Sequence, residues 1–148
     1  MNDIEQEIQA KGLTAPRITP ADIEANIVSQ HFFTAAQGDA KAQEDGAFIN
    51  GSLNGEQARP TPAPLELLTF CVLVLRNGFT VTGESACASP ENFDAEVGRK
   101  IARQNAVDKV WPLMGYALRT ELSRSVLTEA DALADLEGHP RPDNTSTT

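Results

Sequence analysis

TFCVLVLRNGFTVTGES, Thr69–Ser85, is the stretch that decides the fold. Phe70, Cys71, Val72, Leu73, Val74 and Leu75 form a continuous apolar run, Asn77-Gly78 follows, and Phe79-Thr80-Val81-Thr82 then alternates with period two. This pattern reads as a β-hairpin, because Asn-Gly is the preferred pair for a two-residue turn whose residues need positive φ. Such a turn places Arg76 opposite Phe79, Val74 opposite Val81 and Val72 opposite Gly83 on one face. Cys71, Leu73 and Leu75 then oppose Glu84, Thr82 and Thr80 on the other. The first strand is apolar on both faces, so flanking helices or a partner subunit must cover it. The alternative, a buried helix over Leu65–Arg76 ending at Asn77-Gly78, stays open, although the β-branched content and the alternation after the turn favour a strand.

Outward from the hairpin, start signals recur. Thr19-Pro20-Ala21-Asp22 offers a capping threonine, a proline at the first helical position and an acid where the helix dipole favours one. A helix is expected from there to Gln37, ending at Gly38, with Ile23, Ile27 and His31 on one side. Ser89-Pro90-Glu91 repeats the signal and opens a helix to about Val110. Phe93, Val97 and Ile101 form a bulky stripe on it, and Ala95, Gly98, Ala102 and Ala106 a stripe of small residues. That second stripe suits close packing on the sheet or between chains. Pro112 predicts a break, and Leu113, Met114, Ala117, Leu118, Leu122 and Val126 then give a third helix. Residues 38–64, with Phe48, Ile49 and Leu53 as isolated apolar anchors and Pro60, Pro62 and Pro64 near the end, read as a long loop with a stiff approach to the first strand. The expectation is therefore an α+β fold. A hairpin over about 69–85 packs with three helices at about 20–37, 90–110 and 113–127. Residues 18–127 make a single domain, 1–17 a flexible segment with one short amphipathic helix, and 128–148 an acidic, largely disordered tail.

The 148 residues carry 12 basic and 21 acidic side chains, a net charge of −9. Residues 1–64 hold 4 basic and 9 acidic groups, 65–124 hold 7 and 7, and 125–148 hold 1 and 5. Acidic flanks around a neutral centre oppose contact with phosphate backbones, which argues against nucleic-acid binding. No run of eighteen apolar residues exists, and the acidic MNDIEQEIQAKG lacks the basic-then-apolar order of a signal peptide. The expected location is the cytoplasm, with Cys71 and Cys87 reduced. Both read as small packed residues, and with only His31 and His139 the spacing matches no zinc pattern.

Little else spells out a reaction. The central block has no histidine to pair with Ser or Cys, and Gly83-Glu84-Ser85 fits neither a nucleophile elbow nor a phosphate loop. Glu91, Asp94 and Glu96 sit at a helix start, where they compensate the dipole. No catalytic residue, metal or cofactor is expected. One polar constellation remains: Arg99, Arg103 and Lys100 on one helix, with Thr80, Thr82, Glu84 and Ser85 on the hairpin. Guanidinium groups match phosphate oxygens in pairs, and hydroxyls suit the other polar edges of a nucleotide. The competing reading is a solvated face in which Glu96 pairs with Lys100.

The Thr69–Leu122 block, with NGF-x-V-x-G-E-S-A-C, E-x-G-R-K-I-A-R and W-P-L-x-G-Y, resembles a family of small tailed-bacteriophage proteins, the gene forty-nine/gene sixty-six family. The upstream ITPADIEANIVSQHFFTAAQGDAK extends the resemblance to about Ile18–Leu122. Met114 departs from it, standing where an acidic residue is usual before Gly-Tyr. The resemblance brings no catalytic residue. It implies a phage accessory protein in the host cytoplasm. The arginine face beside the hydroxyl-rich hairpin adds the expectation that it acts by binding, as a homo-oligomer joined through the apolar strand or the Gly98/Ala102 stripe, and captures a small anionic, nucleotide-like ligand to counter host defence. The alternative is a protein–protein interaction or structural module whose acidic flanks engage a host or virion protein.

Overall fold

The computed structural model describes residues 2–49, 60–124 and 129–142. The hairpin is present, formed by antiparallel strands Leu68–Leu75 and Thr80–Ala86. Its connection is one residue longer than Asn77-Gly78 suggests. The Gly78 N–H donates to the Leu75 carbonyl at 2.9 Å, the Leu75 N–H to the Phe79 carbonyl at 2.8 Å, and Gly78 has φ +86°. Arg76, Asn77 and Gly78 thus form a three-residue loop with glycine in the left-handed position. The extra residue shifts the register, so that Leu73 faces Val81, Cys71 faces Gly83 and Val74 faces Thr80. Because side chains alternate between faces, this slip decides what is buried. It puts Val81 on the same face as Cys71, Leu73 and Leu75, all of them buried, and leaves Thr80, Thr82 and Glu84 on the opposite face.

The free edge of the first hairpin strand is taken by a segment expected to be helical. Thr19 and Asp22 make the expected reciprocal cap, with Asp22 N–H donating to Thr19 Oγ1 at 3.2 Å and Thr19 N–H to Asp22 Oδ2 at 2.9 Å. The helix so started ends at Asn26, however, and Ile27–Thr34 is a strand. The β-branched and aromatic residues Ile27, Val28, Phe32, Phe33 and Thr34 favour extended backbone, and the open edge supplies the partner. In chain order the elements are α1 (Asn2–Ala10), α2 (Pro20–Asn26), β1 (Ile27–Thr34), α3 (Ala35–Ile49), β2 (Leu68–Leu75), β3 (Thr80–Ala86), α4 (Ala95–Ser123) and α5 (Glu129–Glu137). The sheet order is β1-β2-β3, all antiparallel, with a bulge at Val28. This is an α+β fold.

Helix α3 occupies part of the expected loop. Thr34 and Gln37 bond reciprocally, the Gln37 N–H to Thr34 Oγ1 at 3.2 Å and the Thr34 N–H to Gln37 Oε1 at 2.9 Å. A Thr-x-x-Gln capping box and an alanine-rich turn outweigh the helix-weakening Gly38 and Gly46. The side chains of Phe48 and Ile49, Leu53, and the expected helical stretch beyond 124 with Val126 lie outside the described residues, as does the tail beyond 142.

One face of the sheet is covered by α4. Gly98, Ala102 and Ala106 are buried, and a Cβ added at Gly83 would fall on the backbone of Ala102 and Ala106. The small-residue stripe therefore serves helix-on-sheet packing within one chain. Ile23, Cys71, Leu73, Leu75, Val81, Ala102, Ala106, Val107 and Val110 form the core. Val97 and Ile101, on the bulky stripe, stay about half exposed. The break expected at Pro112 does not occur, and α4 runs through it. Val110 is fully buried and Trp111 and Met114 pack against the core, so tertiary contacts outweigh the one backbone bond that proline forgoes. Likewise the start at Ser89-Pro90 gives only a 3₁₀ turn, Pro90–Asn92, before α4 begins at Ala95.

The chain divides into two compact units, Met1–Gly115 and Tyr116–Thr148. In the second, α5 is helical, within the acidic TEADALADLEG stretch that could extend a helix. Gly138 closes it at φ +70°, with the His139 N–H returning to the Ala134 carbonyl at 2.8 Å. Arg141 also bonds both carboxylate oxygens of Asp135, at 3.0 and 2.7 Å.

Candidate functional site

The structure does not bring the seven expected contact residues together. Arg103 is engaged on the β1 side: its Nε donates to Gln30 Oε1 at 2.8 Å, and its two terminal nitrogens hold both oxygens of Glu24 at 3.1 and 2.8 Å. That fork ties α4 to α2 and β1. Lys100 pairs with Glu96 at 3.2 Å on the solvent face. Thr80, Thr82 and Glu84 share the sheet face that α4 does not cover, whereas Ser85 lies on the covered one. Glu84 also reaches the β3 edge, where its carbonyl accepts from Asn105 Nδ2 at 2.7 Å and its carboxylate lies 3.8 Å from Lys109 Nζ.

Arg99 differs from its neighbours. Among the described residues it makes no hydrogen bond or ion pair, and it borders a cleft of about 230 Å³. Phe32 and Phe93 contribute apolar wall, and Thr34, Gln37 and Thr69 contribute polar groups. Two of the larger helices begin here: Thr34 and Gln37 belong to the cap of α3, and Ala95 is the first residue of α4. The first-turn amides of a helix lack intrahelical acceptors and carry partial positive charge. Asp94 uses part of this at α4, its Oδ1 accepting the Val97 N–H at 3.0 Å. Thr69 is only 3% exposed, yet its hydroxyl has no hydrogen-bond partner among the described residues. A cationic fork, an unpartnered hydroxyl and aromatic walls line this small cleft.

Of these residues, only Arg99 was legible in the sequence as a candidate. Thr34 and Gln37 carried a visible signal, the Thr-x-x-Gln capping box, but Phe32, Thr69 and Phe93 became neighbours only through the β1–β2 pairing and the start of α4. His31, expected on a helix margin, lies on the uncovered sheet face, with its Nε2 3.0 Å from Ser29 Oγ. No carboxylate hydrogen-bonds to His31 among the described residues. Burial pushes the Cys71 thiol above the usual thiol range, with Arg103 opposing the shift. No cluster of metal-ligating side chains occurs among the described residues, and no helix among them is long and apolar enough to cross a membrane.

Fold and cleft together define a small α+β domain in which the unpaired Arg99 fronts a concave, partly aromatic surface. Residues 18–122 match the model of the Phage protein (N4 Gp49/phage Sf6 gene 66) family, and the chain belongs to that family. The match spans α2 through nearly all of α4, so it includes the whole cleft. No curated protein and no solved structure matches the chain.

Proposed function

We propose that this phage protein is an accessory factor that acts by binding rather than catalysis, holding a small anionic, nucleotide-like ligand in the Arg99 cleft. The observation that carries this reading is the unpaired Arg99 guanidinium beside Phe32 and Phe93. A guanidinium offers paired donors that match two phosphate oxygens, and an aromatic wall suits a planar base. A net charge of −9 favours a small anion over a long polyanion, which would meet the whole field of the molecule. In this reading Arg99 is the ligand contact and Arg103 a structural tie. Lys100 adds long-range attraction, and Thr80, Thr82, Glu84 and Ser85 lie outside the contact set. The ligand would be met in the host cytoplasm, where withdrawing a nucleotide signal would counter host defence.

Isothermal titration of the full chain against mononucleotides and cyclic nucleotides tests this. Binding to at least one class is expected, with Arg99→Met losing about tenfold or more in affinity, the scale of a charge-assisted hydrogen bond. Arg103→Met should instead lower the melting temperature and leave affinity within a few fold. Absence of binding to every anion tried would overturn the proposal.

The half-exposed Val97 and Ile101, one turn apart on α4, favour a second reading as an interaction module for a second copy or a host or virion protein. Here Val97→Lys and Ile101→Lys would abolish an assembly seen by native mass spectrometry and leave anion binding intact. A monomer at all concentrations, with no partner lost on substitution, would sink it.

A further inference from the structure

We infer that the cleft is built for the terminal phosphate of a phosphomonoester whose organic part carries a planar ring, with the Thr69 hydroxyl as a donor in its wall. This rests on the anion-binding reading above and specifies its ligand class.

The argument starts from Thr69. Thr69 is 97% removed from solvent as a residue, and its hydroxyl has no hydrogen-bond partner among the described residues. The oxygen is not sealed in the core, and Thr69 lines the cleft, so its hydroxyl is available there as a donor. Gly98 lies against it: a Cβ at that position would sit 3.2 Å from Thr69 Oγ1, so glycine keeps the hydroxyl uncrowded. Around this donor stand the Arg99 fork, the Thr34 and Gln37 cap of α3 and the first residue of α4, Ala95, and the first-turn amides of both helices lack intrahelical acceptors. The two acids flanking Ala95 are engaged, Asp94 with the Val97 N–H and Glu96 with Lys100. Several donors converging from different elements suit a dianion with three free oxygens better than a carboxylate with two.

Size then separates a chain end from a chain middle. About 230 Å³ falls below the roughly 300–1,000 Å³ typical of sites that enclose a whole small ligand. The cleft therefore admits an end group with one flat appendage against Phe93 or Phe32. A phosphodiester, with organic substituents leaving from two oxygens, presents no such end. Free inorganic phosphate has the charge but nothing to place on the aromatic wall.

Calorimetry and protein-observed NMR on the full chain, with four probes, test the assignment: adenosine 5′-monophosphate, adenosine, inorganic phosphate and adenosine 3′,5′-cyclic monophosphate. The 5′-monophosphate should bind about tenfold tighter than each of the others and shift the amides of Ala35, Ala36, Ala95 and Glu96. Thr69→Val should weaken it by about tenfold, as expected for losing one hydrogen bond to a charged group, and Thr69→Ser should restore it. Equal affinity for the cyclic diester overturns the monoester assignment, and equal affinity for inorganic phosphate overturns the ring. If Thr69→Val and Thr69→Ser both bind as wild type while Arg99→Met does not bind, the Thr69 seat is wrong and the anion-binding function stands. If no probe or other anion binds the wild type, both fall.

Discussion

Gly83 holds the closest approach in the core. Its missing side chain lets the backbone of α4 lie directly on β3, and any Cβ there meets the Ala102 carbonyl and the Ala106 amide rather than a flexible side chain that can yield. Gly83→Ala should therefore cost more than about 4 kcal/mol, beyond the ordinary range for a single substitution. Thermal unfolding of that variant should show no cooperative transition or a strongly lowered one; a near-native melting temperature would refute the packing described. Cys71 and Cys87 differ at the same scale. Cys71 is fully buried with its thiol titration pushed up by burial, whereas Cys87 is partly exposed. Iodoacetamide at pH 8 should modify Cys87 in the native protein, and Cys71 only after denaturation.

At the scale of elements, the capping boxes show what a local sequence can specify. Thr34→Ala removes the acceptor for the Gln37 N–H and should cost about 1 kcal/mol, measured by denaturant unfolding with an unchanged slope. The Thr19 box, the hairpin and the small-residue face of α4 were all readable, because each depends on residues within a few positions of one another. Ile27–Thr34 was not, since Ile23, Ile27 and His31 fit a helical spacing equally well. Pairing with the free edge of β2, about forty residues away in sequence, decides the matter. The hairpin register failed for a related reason: Asn-Gly serves both two- and three-residue loops, and burial of Val81 beside Leu73 selects the longer. Only Arg99 of the site was readable, because the cleft is assembled from the end of β1, the start of β2 and two helix starts, which become adjacent only in three dimensions.

For the molecule as a whole, the acidic excess sets the response to pH. Arg17 donates two hydrogen bonds to Glu5, at 2.9 and 2.7 Å, and these hold the Glu5 carboxyl below the usual glutamate range. The Asp22 carboxyl is lowered as well, by the Thr19 backbone N–H and then by the Thr19 hydroxyl. A carboxylate whose folded pKa is depressed contributes stability above its unfolded pKa of about 4, and that contribution is lost as pH falls through the folded value. Stability should thus decline below about pH 4, and Arg17→Gln should make the decline shallower. Melting temperatures between pH 3 and 6 check this; an equally steep fall in the variant would exclude Glu5 as a contributor. The contact of Gly83 with α4 has a kinetic consequence too. With Ala102 and Ala106 seated on the strand backbone, α4 cannot slide along the sheet to admit or trap a ligand beside Arg99, one turn away. Association should therefore be a single step whose observed rate rises linearly with ligand concentration, without the plateau of a closing lid, and bound ligand should leave as fast as its own contacts break.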